Sequence, residues 1–413
     1  MRLLSRVWHQ TPWPRSTAVA PRLDTTALIE EENSPDYHPD RFMPVHLGQI
    51  VNSRYQVANK LGHGANSTVW LARDLHRWRW SVERYVALKV NATGTRSGLL
   101  SPENEVDVMK HIGAANPKHG GWHFVRKLAD SFTQDSHVCL VSEALREPLW
   151  LYRKRYVGQV IPPDILKILL QMILKALDYL HSECHVIHTD LKPGNIMVRV
   201  EDPDIFQQSA KDEFENPLPQ KHLDDRVIYL ARNNYGPLER PTGSIQLVDF
   251  DLARRSKPGE LLKGAIQSEV YRAPEVILNS GYTYSTDIWS LGVLLWDLLQ
   301  IQPLFRPMNP QNPEEYSEAV HLGQITALLG HAPPTLVSQG DRSNMFYQPD
   351  GTLRKETHVP LDFSFEKAIT CMEGEEKRRF ICFVKRMLTW VPGERSTAKE
   401  LLDDPWLYED FSS

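Results

Sequence analysis

One stretch of the chain places an acid, a base and an amide at a spacing that suits phosphate chemistry. In the run from His188 to Asn195, Asp190 is followed two residues later by Lys192 and five residues later by Asn195. The carboxylate can accept a proton from a hydroxyl nucleophile, and the lysine can meet a transferring phosphoryl group. The amide oxygen of the asparagine suits a magnesium ion. This pattern, in a loop that follows a predicted helix, is the strongest signal in the sequence.

A second carboxylate follows an apolar run further along the chain. The segment from Gln246 to Val248 reads as a strand that delivers Asp249, a hard oxygen ligand suited to Mg²⁺. Two later fragments, Ala273-Pro-Glu275 and the six residues that begin at Asp287, follow in that order. Each fragment is a weak signal by itself, and their order along the chain gives them weight.

Two glycines, Gly62 and Gly64, lie between two strand-like runs in the segment from Leu61 to Val69. Glycine lets a backbone amide approach a phosphate oxygen closely and accepts positive φ. The third glycine of the usual phosphate-covering loop is replaced by Ser67. Because a plain hairpin turn is the better explanation of two glycines taken alone, this motif is weak by itself.

A lysine in an apolar strand is another weak signal. Lys89 ends the alternating run Val86-Ala-Leu-Lys89, which suggests an ammonium group aimed at phosphates. An edge-strand lysine that points to solvent is the commoner case. Glu105, on a predicted helix, could orient this lysine, with Glu103 and Asp107 as competing choices. Taken together, the glycines, the lysine, the two aspartates and the asparagine describe a nucleotide–magnesium site that transfers a phosphoryl group.

The hydrophobic pattern divides the chain into a strand-rich part and a helical part. Residues 55–145 contain β-rich runs and one predicted helix near 102–112. Apolar residues recur at three- and four-residue steps over 165–180, which predicts an amphipathic helix, and further helices are predicted at 286–300 and 376–389. We therefore predict an α+β fold in which a small sheet domain precedes a larger helical domain.

The composition is that of an ordinary globular protein, with 413 residues, 41% of them hydrophobic and 24% charged. A net charge of −5 gives no reason to propose nucleic-acid binding. Four cysteines without zinc or redox spacing favour a reducing compartment. The most apolar stretch, Ile288 to Leu299, is too short for a membrane span and suits a buried helix.

Three segments are predicted to lack a packed core. Residues 1–23 carry four arginines and no acid, which is typical of an organelle transit peptide or of a disordered tail. Residues 24–40 carry six acids and no base, which indicates a solvated linker. Residues 199–244 carry five prolines, nine acids and six bases, which indicates a partly disordered insertion.

With these motifs the chain resembles the eukaryotic protein kinases from about Tyr55 to Trp406, and within them the serine/arginine-rich-protein kinases, in a form typical of fungi. The narrower resemblance rests on several short motifs and on the long insertion. These motifs are Tyr37-His-Pro, Ser-Thr-Val-Trp70, His181-Ser182, His188-Thr-Asp190, Ser280-Gly-Tyr282 and the segment from Glu315 to Gly330. The resemblance implies a bilobal fold, with a flexible extension at 1–40, an N-lobe at 41–145 and a C-lobe at 146–408 that contains the insertion.

The resemblance also implies a role for each site residue in an ATP- and Mg²⁺-dependent serine/threonine kinase. Asp190 would be the catalytic base, Lys192 would steady the γ-phosphate, and Asn195 and Asp249 would bind Mg²⁺. Lys89 would hold the α- and β-phosphates, paired with Glu105. The remaining nucleotide-binding residues would be Leu61, Gly62, Gly64, Val69, Ala87, Glu143 and Leu145. Glu275 would pair with Arg395 as a structural brace.

Besides Ser67, two positions, Asp251 and Thr189, depart from the family pattern. Asp251 replaces the glycine of Asp-Phe-Gly, which puts backbone flexibility there in doubt and makes a pseudokinase or weakly active binding module the alternative function. Thr189 replaces the arginine that many kinases pair with a phosphorylated activation loop, so we expect activity without that phosphate. Ser142 falls where the residue at the back of the adenine pocket is expected, with an ordinary strand serine as the alternative.

The resemblance implies Arg/Ser-rich protein substrates of the splicing-factor type. Arginine-rich segments need acidic partners, and Glu314, Glu315 and Glu318 are candidates, although acids on an exposed helix are more often a solvated face. We expect a monomer that binds neither nucleic acid nor membranes. The expected location is the cytoplasm and nucleus, or the mitochondrion if residues 1–23 are a transit peptide.

Overall fold

The computed structural model groups the chain into two compact units, and each is described by itself. The first unit holds the described residues up to Lys110, together with Arg126–Glu147 and the described part of Arg199–Glu239, and the second holds the rest. None of the helices in the described part of the chain is long and apolar enough to cross a bilayer. The structure describes residues 8–34, 37–94, 101–236, 243–309, 312–354, 359–360 and 362–409.

The first unit is built on a six-stranded antiparallel sheet with the order β1-β2-β3-β4-β6-β5. The predicted runs near 55–61, 69–72 and 85–90 each lie within a strand. A helix, α1, spans Pro102–Ala114 and confirms the helix predicted there. The strands are β1 (Ile50–Val51), β2 (Tyr55–Gly64), β3 (Ser67–Asp74), β4 (Tyr85–Asn91), β5 (Leu128–Gln134) and β6 (His137–Glu143).

The side chains of β4 alternate between an apolar cluster and the opposite face of the sheet. Val86, Leu88 and Val90 are almost fully buried in an apolar cluster of the sheet. Because successive side chains of a strand point to opposite faces, Ala87 and Lys89 lie on the other side. Lys89 therefore lies on the face of the strand that is opposite to the buried apolar cluster.

The acidic linker predicted at 24–40 is not a solvated segment where the structure describes it. Glu30–Asn33 forms a 3-10 turn, and the Glu31 carboxylate pairs with the ammonium group of Lys60, whose side chain is fully buried. The Nζ atom of Lys221 lies 2.7 Å from Glu32 and is also almost fully buried. A buried lysine without a partner would be costly, so these pairs fix the position of the acidic turn.

Residues 8–23 also differ from the flexible extension that was predicted. The amide of Gln10 donates to the carbonyls of Leu75 and Arg77, and the backbone of Trp13 exchanges two hydrogen bonds of 2.9 Å with the side chain of Gln56. Removal of residues 1–23 would take these contacts away from β2 and from the segment that follows β3. The first seven residues of the transit-peptide prediction lie outside the described part of the chain.

The insertion predicted to be of low order at 199–244 is instead largely regular and groups with the first unit. Helix α4 spans Asp204–Glu215, and β9 (Gln220–His222) pairs with β10 (Val227–Tyr229). Its charges are matched within the unit, since Arg232 Nε lies 2.6 Å from Glu213. The high charge of this segment predicted disorder because the ion-pair partners are not neighbours in sequence. Residues 237–242 lie outside the described part of the chain.

The second unit is mainly helical, and small two-stranded sheets connect its loops. The predicted helices at 165–180 and 286–300 are confirmed, and the one predicted at 376–389 ends at Lys385. The helices are α2 (Leu149–Tyr152), α3 (Pro163–Asp178), α5 (Pro274–Leu278), α6 (Ser285–Leu299), α7 (Glu318–Leu329), α8 (Pro334–Gln339), α9 (Ser343–Phe346), α10 (Phe365–Ala368), α11 (Gly374–Lys385) and α12 (Ala398–Leu402). The paired strands are β7 (Val186–Ile187) with β12 (Arg254–Arg255), β8 (Ile196–Val198) with β11 (Ile245–Leu247), and β13 (Met308–Asn309) with β14 (Asn312–Tyr316).

A buried ion pair joins α5 to the loop before α12, as the sequence predicted. Arg395 Nη1 and Nη2 lie 2.6 and 2.7 Å from the two carboxylate oxygens of Glu275, and both side chains are fully buried. Thr286 donates to the same carboxylate, and the guanidinium lies over the ring of Trp289. Bidentate geometry and these further contacts satisfy most of the polar atoms of the pair.

We expect Arg395→Met to lower the free energy of unfolding by about 3–5 kcal/mol, because Glu275 would remain buried without its partner. Urea denaturation of the purified chain measures this change. The double variant Glu275→Leu/Arg395→Met removes both charges and should recover much of the loss. A single variant that costs no more than the double variant would contradict the brace.

Candidate active site

A row across the sheet of the first unit brings together three residues predicted to bind nucleotide. Gly62 of β2 is paired with Val69 of β3, and Val69 is paired with Lys89 of β4. Cross-strand partners lie about 5 Å apart, so the three positions are adjacent on one face. A side chain at Gly62 would meet nothing within 4 Å, which leaves the backbone open to close approach.

The segment between the two glycines and β3 is a tight hairpin, which is the simpler alternative that the sequence left open. Strand β2 runs to Gly64, β3 begins at Ser67, and neither Gly62 nor Gly64 has a positive φ. Arg41 Nη2 donates to Asn66 Oδ1 at 3.0 Å and holds the tip. The glycines therefore serve by their small size and not by a special dihedral angle.

Among the three acids of α1 that could contact Lys89, the structure selects Glu105. Lys89 Nζ lies 2.8 and 2.9 Å from the two carboxylate oxygens of Glu105, which is almost fully buried. Glu103 and Asp107 are exposed on the other face of α1. The lysine is thus held in place by one carboxylate and is not a solvent-facing edge residue.

The other predicted nucleotide-binding residues are distributed around this row. Ala87 is paired with Ser142 of β6, one residue before Glu143, so that the predicted adenine-pocket serine lies beside β4. The Glu143 carboxylate lies 2.8 Å from Arg199, and Leu145 is buried. Leu61 packs against an apolar cluster that also includes residues of the insertion.

In the second unit, Asp190 is the centre of a hydrogen-bond network formed by the predicted loop. Its Oδ2 atom lies 2.6 Å from Lys192 Nζ and 3.1 Å from Asn195 Nδ2. The Asn195 amide also donates to the Asp190 carbonyl at 2.8 Å. Lys192 and Asn195, which the sequence spacing placed near Asp190, therefore both donate to its carboxylate.

Sequence reasoning missed a fourth member of this network, Ser268. Its hydroxyl donates to Asp190 Oδ1 at 2.7 Å and accepts a bond from Lys192 Nζ at 3.1 Å. Because Ser268 lies 78 residues after Asp190, no local spacing could reveal the contact. The signal available was its position shortly before Ala273-Pro-Glu275.

Asp249 is held close to this loop through its neighbours. Val248 donates its amide to the Asn195 carbonyl at 2.9 Å, and its own carbonyl accepts from His188 Nε2 at 3.0 Å. Asp249 has a φ of +67°, which aspartate tolerates better than most residues. Asp251 has no such angle, so the replacement of the glycine imposes no left-handed strain at this corner.

These oxygen donors fit a magnesium ion held together with phosphate. Asn195 uses its Nδ2 atom in the bonds to Asp190, which turns its oxygen into the donor for a cation. Mg²⁺ is usually bound by one or two carboxylates plus substrate phosphates and water. The described residues contain no cluster of three or more His, Cys, Asp or Glu side chains that could hold a metal.

The backbone of the loop is fixed by Asp287 of α6. Its carboxylate accepts the amides of His188 at 2.8 Å and Thr189 at 2.9 Å, and it lies 2.9 Å from His181 Nε2. Thr189 has a φ of +69°, an uncommon angle for a β-branched residue. The buried carboxylate therefore stabilises a strained turn directly before Asp190.

Several neutral hydrogen bonds help to hold the activation segment between Asp249 and Glu275. The Thr189 hydroxyl donates to the Leu252 carbonyl at 2.8 Å, in the place where other kinases have an arginine. Gln267 Nε2 donates to the Thr286 carbonyl, and Gln267 Oε1 accepts the Ala273 amide. No phosphate is required for any of these contacts.

A cavity of about 320 Å³ opens beside Lys192 in the second unit. The Tyr271 hydroxyl donates to Asp297 at 2.6 Å, and Arg153 donates to the Asp297 carbonyl. Burial raises the pKa of Asp297 above its ordinary value, while the tyrosine and Arg153 oppose that rise. The lining residues are Trp150, Arg153, Lys192, Pro193, Gly194, Tyr271 and Asp297.

The three acids considered for substrate docking differ in whether their carboxylates are already paired with arginines. The Glu318 carboxylate contacts Arg272 at 3.3 Å and Arg342 at 2.5 Å, so it is a structural link to the activation segment. The Glu315 carboxylate accepts a bond from Asn309 at 3.2 Å and has no arginine or lysine partner among the described residues, and Glu314 is exposed. Glu318 is therefore the weakest of the three docking candidates.

Comparison with known proteins agrees with this geometry. Residues 55–407 match the protein kinase domain family. A serine/threonine protein kinase of Aspergillus fumigatus is 38% identical over 416 residues, which cover 98% of each chain. A serine/threonine-protein kinase SRPK of Physarum polycephalum is 28% identical and covers 92% of this chain and 91% of its own.

Two further comparisons extend the relationship. SRSF protein kinase 3 of Mus musculus is 25% identical over 92% of this chain and 90% of its own length. A crystal structure of a kinase domain superposes with a TM-score of 0.66 at 24% identity, over 89% of this chain and 99% of that one, which supports the bilobal α+β kinase fold. The chain belongs to the eukaryotic protein kinases and is a serine/threonine kinase similar to the SR-protein kinases.

Proposed function

We propose that this kinase transfers the γ-phosphate of ATP to serines of Arg/Ser-rich proteins. The observation that carries the proposal is the network at Asp190, where Lys192, Asn195 and Ser268 all contact one carboxylate. Asp190 would accept the proton of the substrate hydroxyl, and Lys192 would stabilise charge on the transferring group. Lys89, oriented by Glu105, would bind the α- and β-phosphates.

The proposal assigns Mg²⁺ to Asn195 and Asp249. When bound, the ion would supply positive charge to the phosphate oxygens. The chain's own contribution is to hold both donors on a connected backbone, since Val248 is bonded to Asn195 and to His188. This rigid arrangement means that little reorganisation is needed when the site is loaded.

The pseudokinase alternative loses its main support. The doubt came from Asp251, and the backbone at this position lies outside the left-handed region that favours glycine. Ser67, at the third glycine position, lies within β3 and likewise has no positive φ. Both departures are accommodated without strain, so we favour an active enzyme.

Three observations support an arginine-rich substrate. The relatives carry the names SRPK and SRSF protein kinase 3. Beyond residues 1–23, which hold four bases and no acid, 43 basic and 52 acidic side chains remain, a net charge of −9. Glu314 and Glu315 are exposed and lack a lysine or arginine partner among the described residues. Carboxylates in such positions can bind guanidinium groups.

We expect the chain to transfer labelled phosphate from ATP to an Arg/Ser-repeat peptide far better than to a Lys/Ser-repeat peptide of equal charge, because only arginine offers the bidentate fork. Asp190→Asn should lower kcat at least 100-fold through loss of the base. Equal rates on the two peptides would contradict the substrate proposal, while no transfer to any protein would contradict the kinase itself.

The same assay locates the substrate contacts. Glu314→Lys/Glu315→Lys should raise KM for the Arg/Ser peptide several-fold and leave KM for ATP unchanged, because only the peptide is repelled. The matched control is Glu201→Lys/Glu215→Lys, which reverses two exposed acids of the first unit. If both double variants behaved alike, docking at these positions would be wrong.

We expect Ser268→Ala to lower kcat about tenfold, because Asp190 and Lys192 would both lose a hydrogen-bond partner in the unit that performs the chemistry. Ser268→Thr keeps the hydroxyl and should retain most of the activity. Steady-state kinetics of both variants provide the measurement. Loss of activity in the threonine variant equal to that in the alanine variant would argue against the bond.

We expect phosphatase treatment to leave activity nearly unchanged, because the contacts that hold the activation segment require no phosphate. Thr189→Val should lower activity several-fold, since the Leu252 carbonyl would lose its donor, and Thr189→Ser should not. Mass spectrometry confirms the phosphorylation state before and after treatment. A large loss on dephosphorylation would refute this expectation.

A further inference from the structure

Exposed aromatic and cationic residues are concentrated at one place on the first unit. Three of the four tryptophans that are exposed in the described part of the chain lie here. Trp80 is 69% exposed and Val82 is 74% exposed, values that are unusual for large apolar side chains. We call this surface the tryptophan patch, and it consists of Trp8, Arg77, Trp78, Arg79, Trp80 and Val82.

The patch is an ordered structure and not a set of independent side chains. The rings of Trp8 and Trp78 stack at 4.9 Å, and the rings of Trp78 and Trp80 lie 5.2 Å apart. An isolated β-bridge joins His9 to Trp78, and the amide of Arg79 donates to the Trp8 carbonyl at 2.9 Å. The N-terminal segment and the β3–β4 connection thus present one joint surface.

The charge of the patch is opposite to that of the whole chain. Arg77 and Arg79 have no ion-pair partner among the described residues, and Arg79 lies over the ring of Trp80. Glu83, an acid of the same connection between β3 and β4, is already engaged by Arg73 at 2.7 Å and by the hydroxyl of Tyr85. An anionic partner would therefore meet uncompensated guanidinium groups on a chain of net charge −5.

The residues that precede the patch have the same chemistry. Residues 1–7 contain Arg2 and Arg6, the apolar residues Leu3, Leu4 and Val7, and no acid. The sequence directly before Trp8 therefore adds two cations and three aliphatic residues, which lie outside the described part of the chain. Aliphatic residues add nothing to base stacking, but they favour the boundary between lipid headgroups and acyl chains.

We propose that the tryptophan patch binds the surface of an anionic lipid bilayer. The indoles of Trp78 and Trp80 would lie at headgroup level, and Arg77 and Arg79 would pair with lipid phosphates and carboxylates. A single-stranded nucleic acid fits less well, because Trp8 and Trp78 stack on each other and leave no slot for a base between them. This is peripheral binding at the bilayer surface.

Sedimentation of the full chain with lipid vesicles tests the proposal. We expect binding to phosphatidylcholine vesicles that contain about one-third phosphatidylserine, and at least tenfold weaker binding to phosphatidylcholine alone. Arg77→Glu/Arg79→Glu and, separately, Trp80→Ala should each weaken binding to the anionic vesicles about tenfold. Phosphate transfer by these variants should stay unchanged, which shows that they are folded.

Matched controls separate the patch from general surface effects. Lys211→Glu/Lys399→Glu reverses two exposed cations elsewhere, and Ile301→Ala removes an apolar side chain that is 67% exposed; neither should change vesicle binding. The proposal is overturned if the chain does not bind anionic vesicles or if the patch variants bind as well as the controls. It is also overturned if a single-stranded oligouridylate binds the patch while the vesicles do not.

Discussion

The second unit depends on one buried carboxylate, that of Asp287. It receives two backbone amides of the catalytic loop, from His188 and Thr189, and is almost fully shielded from water. A β-branched residue with a φ of +69° costs of order 1–3 kcal/mol, so the turn needs such a partner to persist. The direction in which Asp190 points is therefore decided by a side chain 97 positions later in the chain.

The helix that carries Asp287 also fixes the activation segment. Thr286 donates to Glu275, which the buried Arg395 holds from the other side, and the Thr286 carbonyl accepts from Gln267. Helix α6 thus anchors the catalytic loop and the activation segment through adjacent residues. Because both anchors lie in the first turn of a buried helix, the distance between Asp190 and Ser268 is set by a rigid element.

The sequence predicted the parts of the site that depend on local spacing. The order of Asp190, Lys192 and Asn195 and the strand before Asp249 were recognised because their residue types and intervals are themselves the signal. Ser268 was missed, and the segments at 24–40 and 199–244 were taken for solvated or disordered chain. In each case the deciding contact joins residues far apart in sequence, as Lys60 and Glu31 or Arg232 and Glu213 show. Composition reports charge, but it does not report whether a charge has a partner.

The departures from the family pattern become mutually consistent once the hydrogen bonds are considered. An arginine at position 189 would offer a guanidinium to a loop phosphate, whereas Thr189 offers a hydroxyl that already binds the Leu252 carbonyl. The activation segment is held without an arginine–phosphate pair. Gln267 of the segment donates to the Thr286 carbonyl, and Tyr284 donates to the Ser256 carbonyl. We expect an activation segment held in this way to need no phosphate for activity. We therefore expect the output of the enzyme to follow where the chain is located and which substrate it meets, which gives a surface such as the tryptophan patch a reason to exist.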